Sequence, residues 1–227
     1  MNAPESCLLK VKDLNLPMGD RWLVRDLSFS LSKGEFIAVV GTSGSGKTSL
    51  LRKINQDFEE QSNTIQIDVI SKLPIGMIYQ DLELAEGATA LNNALSGCLH
   101  RHTWTKTLLN FPIEEKNRAM ELLHQLGLST KINQWTSTLS RGERQRLAII
   151  RTLLADPQII LADEPVASLD TDWANQTLGL LKQYAEQKEF GIICALHDHN
   201  QVDQFADKVI HLESSDESSC FVEDLNK

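Results

Sequence analysis

Gly41-Thr42-Ser43-Gly44-Ser45-Gly46-Lys47-Thr48 stands directly behind the apolar run at residues 36–40. This stretch fits G-x-x-x-x-G-K-[S/T], the loop that wraps nucleotide phosphates between a strand and a helix. Its glycines permit backbone angles that a Cβ would forbid, so successive N–H groups can face one anion. Lys47 brings positive charge to the outer phosphates, and Thr48 offers a hydroxyl to Mg²⁺. The sequence therefore predicts ATP or GTP binding by these eight residues and Ser49.

Composition and charge narrow the class of protein. At 227 residues and 41% hydrophobic, the chain can bury one core and is near the upper end for a single domain. The net charge of −9 gives no electrostatic support for a nucleic-acid partner. The four cysteines form no C-x-x-C pair, which indicates reduced thiols rather than disulfides or zinc. No stretch approaches the ~20 apolar residues that cross a bilayer, so we expect membrane contact only through a partner.

The apolar pattern predicts an α/β fold. Short, nearly continuous apolar runs are typical of parallel strands that are covered on both faces, and helical stretches separate several of them. These runs lie at residues 36–40, 76–79, 159–162 and 191–196. We therefore expect a mainly parallel sheet with the site at the carboxyl ends of its strands. Residues 82–140 show helical periodicity and predict an inserted helical subdomain, and the acidic, serine-rich residues 213–227 are expected to be flexible.

Two acidic residues end one of the predicted strands. Asp163 and Glu164 follow the apolar residues 159–162 directly. Two carboxylates at a strand end are costly to pack unless a cation or a reaction uses them. Asp163 suits the Mg²⁺ shell, and Glu164 is placed to polarise the water that attacks the γ-phosphate.

A capped helix begins near residue 140. Ser140 and Glu143 form S-x-x-E, a capping box, ahead of a helix whose apolar side includes Leu147, Ile150 and Leu154. By themselves these residues indicate no more than a well-capped helix, although its serine-capped N-terminus is also a potential anion site.

Together these segments resemble the ATP-binding-cassette (ABC) ATPases, from about residue 8 to residue 212. Residues 139–143, LSRGE, resemble that family's LSGGQ signature and keep Ser140 and Gly142, whereas Arg141 and Glu143 depart from it. The resemblance implies one ABC-type P-loop NTPase domain over residues 1–212. Such a domain has a mainly parallel core, an N-terminal antiparallel β subdomain and a helical subdomain at approximately residues 82–140.

The resemblance also implies further site residues. Gln80 matches the family's Q-loop glutamine, which touches Mg²⁺, and His197 matches the switch histidine that contacts the γ-phosphate. Residues 168–170 resemble the D-loop at the dimer interface. The resemblance therefore assigns Gln80, Glu164 and His197 to catalysis, Thr48, Gln80 and Asp163 to Mg²⁺, and Ser140, Gly142 and Asp170 to the ATP of a second subunit. Met18 or Trp22 is the expected adenine contact.

The family resemblance further implies partners and a task. Two copies are expected to face each other head to tail around ATP, docked at the cytoplasmic face of the membrane on separate permease subunits. Residues 94–126 and 161–170 resemble phosphonate-importer ATPases, which favours import of a phosphonate or related oxyanion with a solute-binding protein. A lipoprotein-releasing or efflux exporter ATPase is the nearest alternative. A soluble ABC protein of repair or translation, and a P-loop kinase, are the alternatives outside transport.

Overall fold

Two sheets and six α-helices make up the part of the chain that the computed structural model describes, namely residues 7–18, 21–59, 65–66, 75–102, 111–213 and 220–225. The strands are β1 Cys7–Met18, β2 Arg21–Ser32, β3 Phe36–Gly41, β4 Ile65–Gln66, β5 Ile75–Ile78, β6 Ile159–Asp163, β7 Gly191–Ala195, β8 Lys208–Leu212 and β9 Cys220–Asp224. The helices are α1 Lys47–Glu59, α2 Ala90–Ser96, α3 Ile113–Gln125, α4 Arg141–Leu154, α5 Thr171–Lys188 and α6 His199–Phe205.

The larger sheet has the order β5-β6-β7-β3-β8-β9, and the smaller one has the order β2-β1-β4. β3 pairs in parallel with both β7 and β8, and β6 pairs in parallel with β7. β1 and β2 are antiparallel. The mainly parallel core and the N-terminal antiparallel sheet are therefore both as predicted. β3, β6 and β7 read as apolar runs because every residue of β6 and β7, and all but the last residue of β3, is buried.

The described chain divides into two compact units. The first unit comprises residues 1–77, 158–164 and 179–227, and the second comprises residues 78–157 and 165–178. The second unit contains residues 82–140, for which a helical subdomain is predicted, and extends beyond them on both sides. It includes α4 because the buried face of that helix, with Leu147 and Ile150 fully buried, packs against α2 and α3. Among the described residues, no helix is long and apolar enough to cross a membrane.

The prediction of a flexible tail over residues 213–227 is wrong for its last part. Residues 220–224 form β9, which pairs antiparallel with β8 at the edge of the larger sheet. The side chains of β9 alternate between two faces, as in a half-buried strand. Cys220 and Val222 pack against the core, while Phe221 stacks on His211 with ring centroids 4.3 Å apart. Glu223 lies 2.9 Å from Nε2 of the same histidine. Acidic residues on the outer face of an edge strand are compatible with pairing. Residues 214–219 and 226–227 lie outside the described residues.

Candidate functional site

Three parallel strands deliver the predicted site residues to one edge of the larger sheet. β3 runs into the glycine-rich loop, β6 ends at Asp163, and His197 follows β7 by two residues. The register pairs Asp163 with Ala195 across β6 and β7, and pairs Val39 with Ala195 across β3 and β7. The carboxyl ends of the strands therefore meet, as the sequence predicted.

Two glycines, one at the end of β3 and one in the loop that follows it, have little or no space for a Cβ. Gly46 has a φ of +99°, and a Cβ there would lie 3.2 Å from Leu23. At Gly41 a Cβ would lie 2.4 Å from Ser45 Oγ and 2.6 Å from the carbonyl oxygen of Leu212. Ser45 Oγ is itself buried and has no hydrogen-bond partner among the described atoms. Such an orphaned hydroxyl fits a loop that is built to hold a polar ligand.

Lys47 and Thr48 open α1 immediately after the loop. The Lys47 ammonium is nearly buried and donates to the carbonyl oxygens of Gly41, at 2.9 Å, and Thr42, at 3.1 Å. The first turn of α1 contains no acidic residue. The unpaired N–H groups of this helix terminus and the lysine charge therefore reinforce each other as an anion site.

Asp163 is almost fully buried at the end of β6, with 2% of its surface exposed. Thr48 Oγ1 donates to Asp163 Oδ1 at 3.1 Å. Burial raises the pKa of Asp163 and the nearby Glu164 charge adds to this, although the Thr48 hydrogen bond lowers it in part. A hydroxyl and a carboxylate that is poorly solvated are hard oxygen ligands of the kind that Mg²⁺ prefers. These two residues therefore fit a magnesium ion.

Asp163→Asn is expected to stabilise the nucleotide-free protein. Because the folded-state pKa is raised, the wild-type fold loses stability as pH rises from the ordinary aspartate value through the raised one, and an asparagine avoids that loss. At neutral pH, without nucleotide or Mg²⁺, the thermal midpoint should rise by on the order of a few degrees. Melting curves across pH check this, with the exposed Asp172→Asn as the matched control. A lower midpoint for Asp163→Asn at neutral pH would contradict the prediction.

Glu164 and His197 face each other across the ends of β6 and β7. His197 Nε2 lies 2.5 Å from Glu164 Oε1. Glu164 has a φ of +52°, a left-handed conformation that is uncommon for a residue other than glycine. A cavity of about 470 Å³, lined by His197 and by Gly41 and Thr42 of the loop, lies beside them. The structure therefore brings the predicted water-polarising carboxylate and the predicted switch histidine into direct contact.

The second unit contains the predicted signature segment and D-loop. The capping box is confirmed: Ser140 Oγ accepts from the Glu143 N–H at 3.2 Å, and Glu143 Oε2 accepts from the Ser140 N–H at 2.7 Å. A Cβ on Gly142 would lie 3.1 Å from Leu169 Cδ2 and 3.3 Å from the Ser168 carbonyl oxygen. Asp170 is exposed, and its Oδ1 accepts from the Trp173 N–H at 2.9 Å. The start of α4 and the D-loop are therefore neighbours within this unit.

Two side chains that were not predicted from the sequence join these segments. Buried Gln145 accepts from the Ser168 N–H at 3.0 Å, and buried Arg146 lies over the Trp173 ring, 4.1 Å from its centroid. Burial lowers the pKa of Arg146, and the charges of Glu143 and Asp170 oppose that shift. The sequence does contain a signal for these contacts, because Gln145 and Arg146 stand next to the apolar positions of the helix. Long polar side chains at such positions need partners.

Two further predicted site residues, Gln80 and Trp22, are not among the contacts described above. Gln80 is exposed two residues after β5 and lines a cavity of about 340 Å³ in the second unit together with Arg141 and Asp81. Trp22 is 42% exposed on β2, and its neighbour Leu23 is the residue that lies against Gly46 of the loop. The Met18 side chain lies outside the described residues. The Mg²⁺ contact of Gln80 and the adenine contact of Trp22 or Met18 stay predictions.

A second cluster of titratable groups surrounds Arg101 in the helical unit. Cys98, His102 and Glu115 bring potential metal ligands within 4.8 Å of one another. The Arg101 guanidinium already binds both carboxylate oxygens of Glu115, at 2.8 and 2.9 Å. Burial, and then the Glu115 charge, raise the pKa of the Cys98 thiol, which disfavours the thiolate that a metal needs. The positive charge beside these groups is therefore the Arg101 guanidinium rather than a metal ion.

Comparison with known proteins agrees with this geometry. The family model described as ABC transporter matches residues 24–167. A phosphonates import ATP-binding protein of Hydrogenovibrio crunogenus is 37% identical over 200 residues, which cover 83% of this chain and 74% of that protein. Its namesake in Halobacterium salinarum is 36% identical over 207 residues, which cover 89% of this chain and 74% of that protein.

A solved structure extends the similarity to the fold. It is a dimeric ATP-binding cassette in a post-hydrolysis state, bound to ADP and phosphate. Its TM-score is 0.79 at 27% identity, and the match covers 97% of this chain and all of that one. The chain therefore belongs to the ABC transporter family, as an ATP-binding subunit with ATPase activity.

Proposed function

We propose that this chain hydrolyses MgATP as one half of a head-to-tail homodimer and thereby powers import of a phosphonate or related oxyanion. The homodimer docks on separate permease subunits at the cytoplasmic face of the membrane, and a solute-binding protein delivers the cargo. The observation that carries the proposal is the identity of 36–37% over most of the chain with relatives that are named phosphonates import ATP-binding proteins.

The first unit supplies the hydrolytic groups. The Lys47 ammonium and the N-terminus of α1 hold the phosphates, and Glu164 polarises a water that attacks the γ-phosphorus, so that ADP leaves and phosphate forms. His197 Nε2 lies 2.5 Å from Glu164 Oε1 and fixes that carboxylate. A bound Mg²⁺ would neutralise phosphate charge, and Thr48 and Asp163 are the residues of this unit that would hold it.

The second unit supplies the groups that act on the partner's ATP. Ser140 and Gly142 open α4, and the contact of Gln145 with Ser168 joins that helix to the D-loop that contains Asp170. In this arrangement the nucleotide lies between the surfaces of two subunits. ATP binding therefore drives closure of the dimer, and ATP hydrolysis allows the dimer to open again. A related cassette has been solved as a dimer at a TM-score of 0.78 and 26% identity, which supports the arrangement.

Reconstitution with the permease tests the transport proposal. Vesicles that contain the permease and this subunit, supplied with the solute-binding protein, should accumulate labelled methylphosphonate only with MgATP on the subunit's side. Lys47→Ala should abolish accumulation because it removes the charge that faces the phosphates. Competition by unlabelled methylphosphonate, phosphate and sulfate ranks the oxyanions. ATP-driven movement of the label in the opposite direction would establish an exporter instead, and ATP hydrolysis that no oxyanion stimulates would overturn the proposed cargo.

A further inference from the structure

The carboxylate of Glu143 uses both of its oxygens at the start of α4. Oε2 accepts from the Ser140 N–H at 2.7 Å, and Oε1 lies 3.3 Å from the Lys131 ammonium. The Glu143 N–H in turn donates to Ser140 Oγ at 3.2 Å. Lys131, Glu143 and Ser140 thus form a chain of contacts, here named the cap relay, that ends at the serine of the signature segment.

The cap relay orients the serine hydroxyl. Ser140 is exposed, its N–H is engaged by Glu143, and its oxygen already accepts one hydrogen bond. A serine hydroxyl has one proton to donate. That proton therefore remains available for an acceptor in front of the helix, such as a phosphate oxygen.

The same carboxylate creates an electrostatic problem. Glu143 is ionised near neutral pH, since the hydrogen bonds from Ser140 and the contact with Lys131 lower its pKa against the opposing effect of burial. A negative charge one helical turn from Ser140 repels the γ-phosphate of an ATP bound there. A glutamine could cap the helix equally well without any charge.

Lys131 is placed to cancel that charge. The side chains of Lys131 and Glu143 are 32% and 19% exposed, so solvent screens this pair less than a fully exposed pair. Arg146 also interacts electrostatically with Glu143, but its guanidinium lies over the Trp173 ring. Among the described residues, Lys131 is therefore the cation in direct contact with the Glu143 carboxylate.

The backbone around Lys131 is fixed. Lys131 ends a short 3-10 turn at Ser129–Lys131. Its N–H donates to the Leu128 carbonyl oxygen, and its own carbonyl oxygen accepts from Gln134, both at 2.9 Å. The Leu91 N–H of α2 donates to the Ile132 carbonyl oxygen at 3.0 Å. The helical unit thus presents the lysine from a hydrogen-bonded turn that is tied to α2.

We propose that Lys131 is a positioning and charge-compensating residue of the nucleotide site formed in trans: it neutralises Glu143, so that this carboxylate holds the Ser140 cap without repelling the γ-phosphate of the partner's ATP. The proposal rests on the homodimer of the proposed function. Lys131 and Glu143 would then act together, with the lysine charge balancing the glutamate charge.

ATP-dependent dimerisation in the Glu164→Gln background tests the cap relay. In that background Lys131→Met should weaken dimerisation by about three- to tenfold and leave the affinity of the monomer for a fluorescent ATP analogue unchanged. Lys131→Arg should restore dimerisation because it keeps the charge. In a Glu143→Gln background, Lys131→Met should have little effect. Lys12→Met, which removes an exposed lysine of β1, is the matched control for net charge.

The outcomes separate the two proposals. Normal dimerisation of Lys131→Met, or an equal defect with and without Glu143→Gln, overturns the cap relay while the homodimer stands. A defect that shrinks at higher ionic strength and disappears with Glu143→Gln supports it. Absence of any ATP-dependent dimer in the Glu164→Gln background overturns the homodimer itself, and the cap relay with it.

Discussion

Glu164→Gln is expected to lower the ATP hydrolysis rate by about 10²–10⁴-fold while MgATP still binds. The amide keeps the size and the planar shape of the carboxylate but cannot polarise water as a negative charge does. Lys47, Thr48 and Asp163 are unchanged in this variant, so phosphate binding should persist. Steady-state phosphate release measures the rate, and size-exclusion chromatography with ATP should show an accumulated dimer.

The matched control for this variant is Glu189→Gln. Glu189 also has a left-handed backbone, with a φ of +57°, but it is exposed and pairs with Lys33 at 3.1 Å. Exposed ion pairs contribute little to stability, so this control should hydrolyse ATP at the wild-type rate. Hydrolysis by Glu164→Gln at more than half of the wild-type rate would remove Glu164 from the catalytic role and point to His197 as the residue to test next.

The roles of Glu164 and His197 could be predicted from the sequence, but the contact between them could not. Each residue was identified from its position after an apolar run, which is a local signal. That they touch depends on β6 lying beside β7 in the sheet order, and strand order is not written in any local pattern. The glycine-rich loop and the capping box of Ser140 and Glu143 were predictable because their geometry is set within a few residues.

The features that were predicted wrongly or not predicted depend on tertiary contacts rather than on local sequence patterns. β9 was missed because its charges, Glu223 and Asp224, resemble a solvated tail when its partner strand β8 is not known. Gln145 and Lys131 were missed because their contacts, with Ser168 and Glu143, join residues that are 23 and 12 positions away. The helical unit extends past residue 140 because the apolar face of α4 finds its partners in α2 and α3. Tertiary contacts decide each of these features.

Ser140→Arg is expected to reduce ATP hydrolysis by about 10²–10³-fold, the loss typical of removing one preorganised donor to the reacting group. The variant loses the hydroxyl that the cap relay orients, and it places a long side chain where the partner's nucleotide has to enter. The phosphate loop belongs to the other unit and keeps all of its contacts, so the affinity of the monomer for ATP should not change. Stopped-flow binding of a fluorescent ATP analogue and steady-state hydrolysis separate the two quantities.

Arg141→Gly provides the matched comparison one residue further along. Arg141 is exposed and lines the cavity that Gln80 and Asp81 also line, and its loss leaves Ser140 and Glu143 unchanged, so substantial hydrolysis should remain. Both variants perturb the first turn of α4, and loss of the serine cap alone costs about 1 kcal/mol of stability, which melting curves will register. A helix-stability effect would lower the thermal midpoint of both and leave the ratio of hydrolysis to binding unchanged. A role in trans predicts that only Ser140→Arg changes that ratio. If Ser140→Arg hydrolyses ATP at the wild-type rate, residues 139–143 serve only as a helix cap and the head-to-tail dimer mechanism fails for this chain.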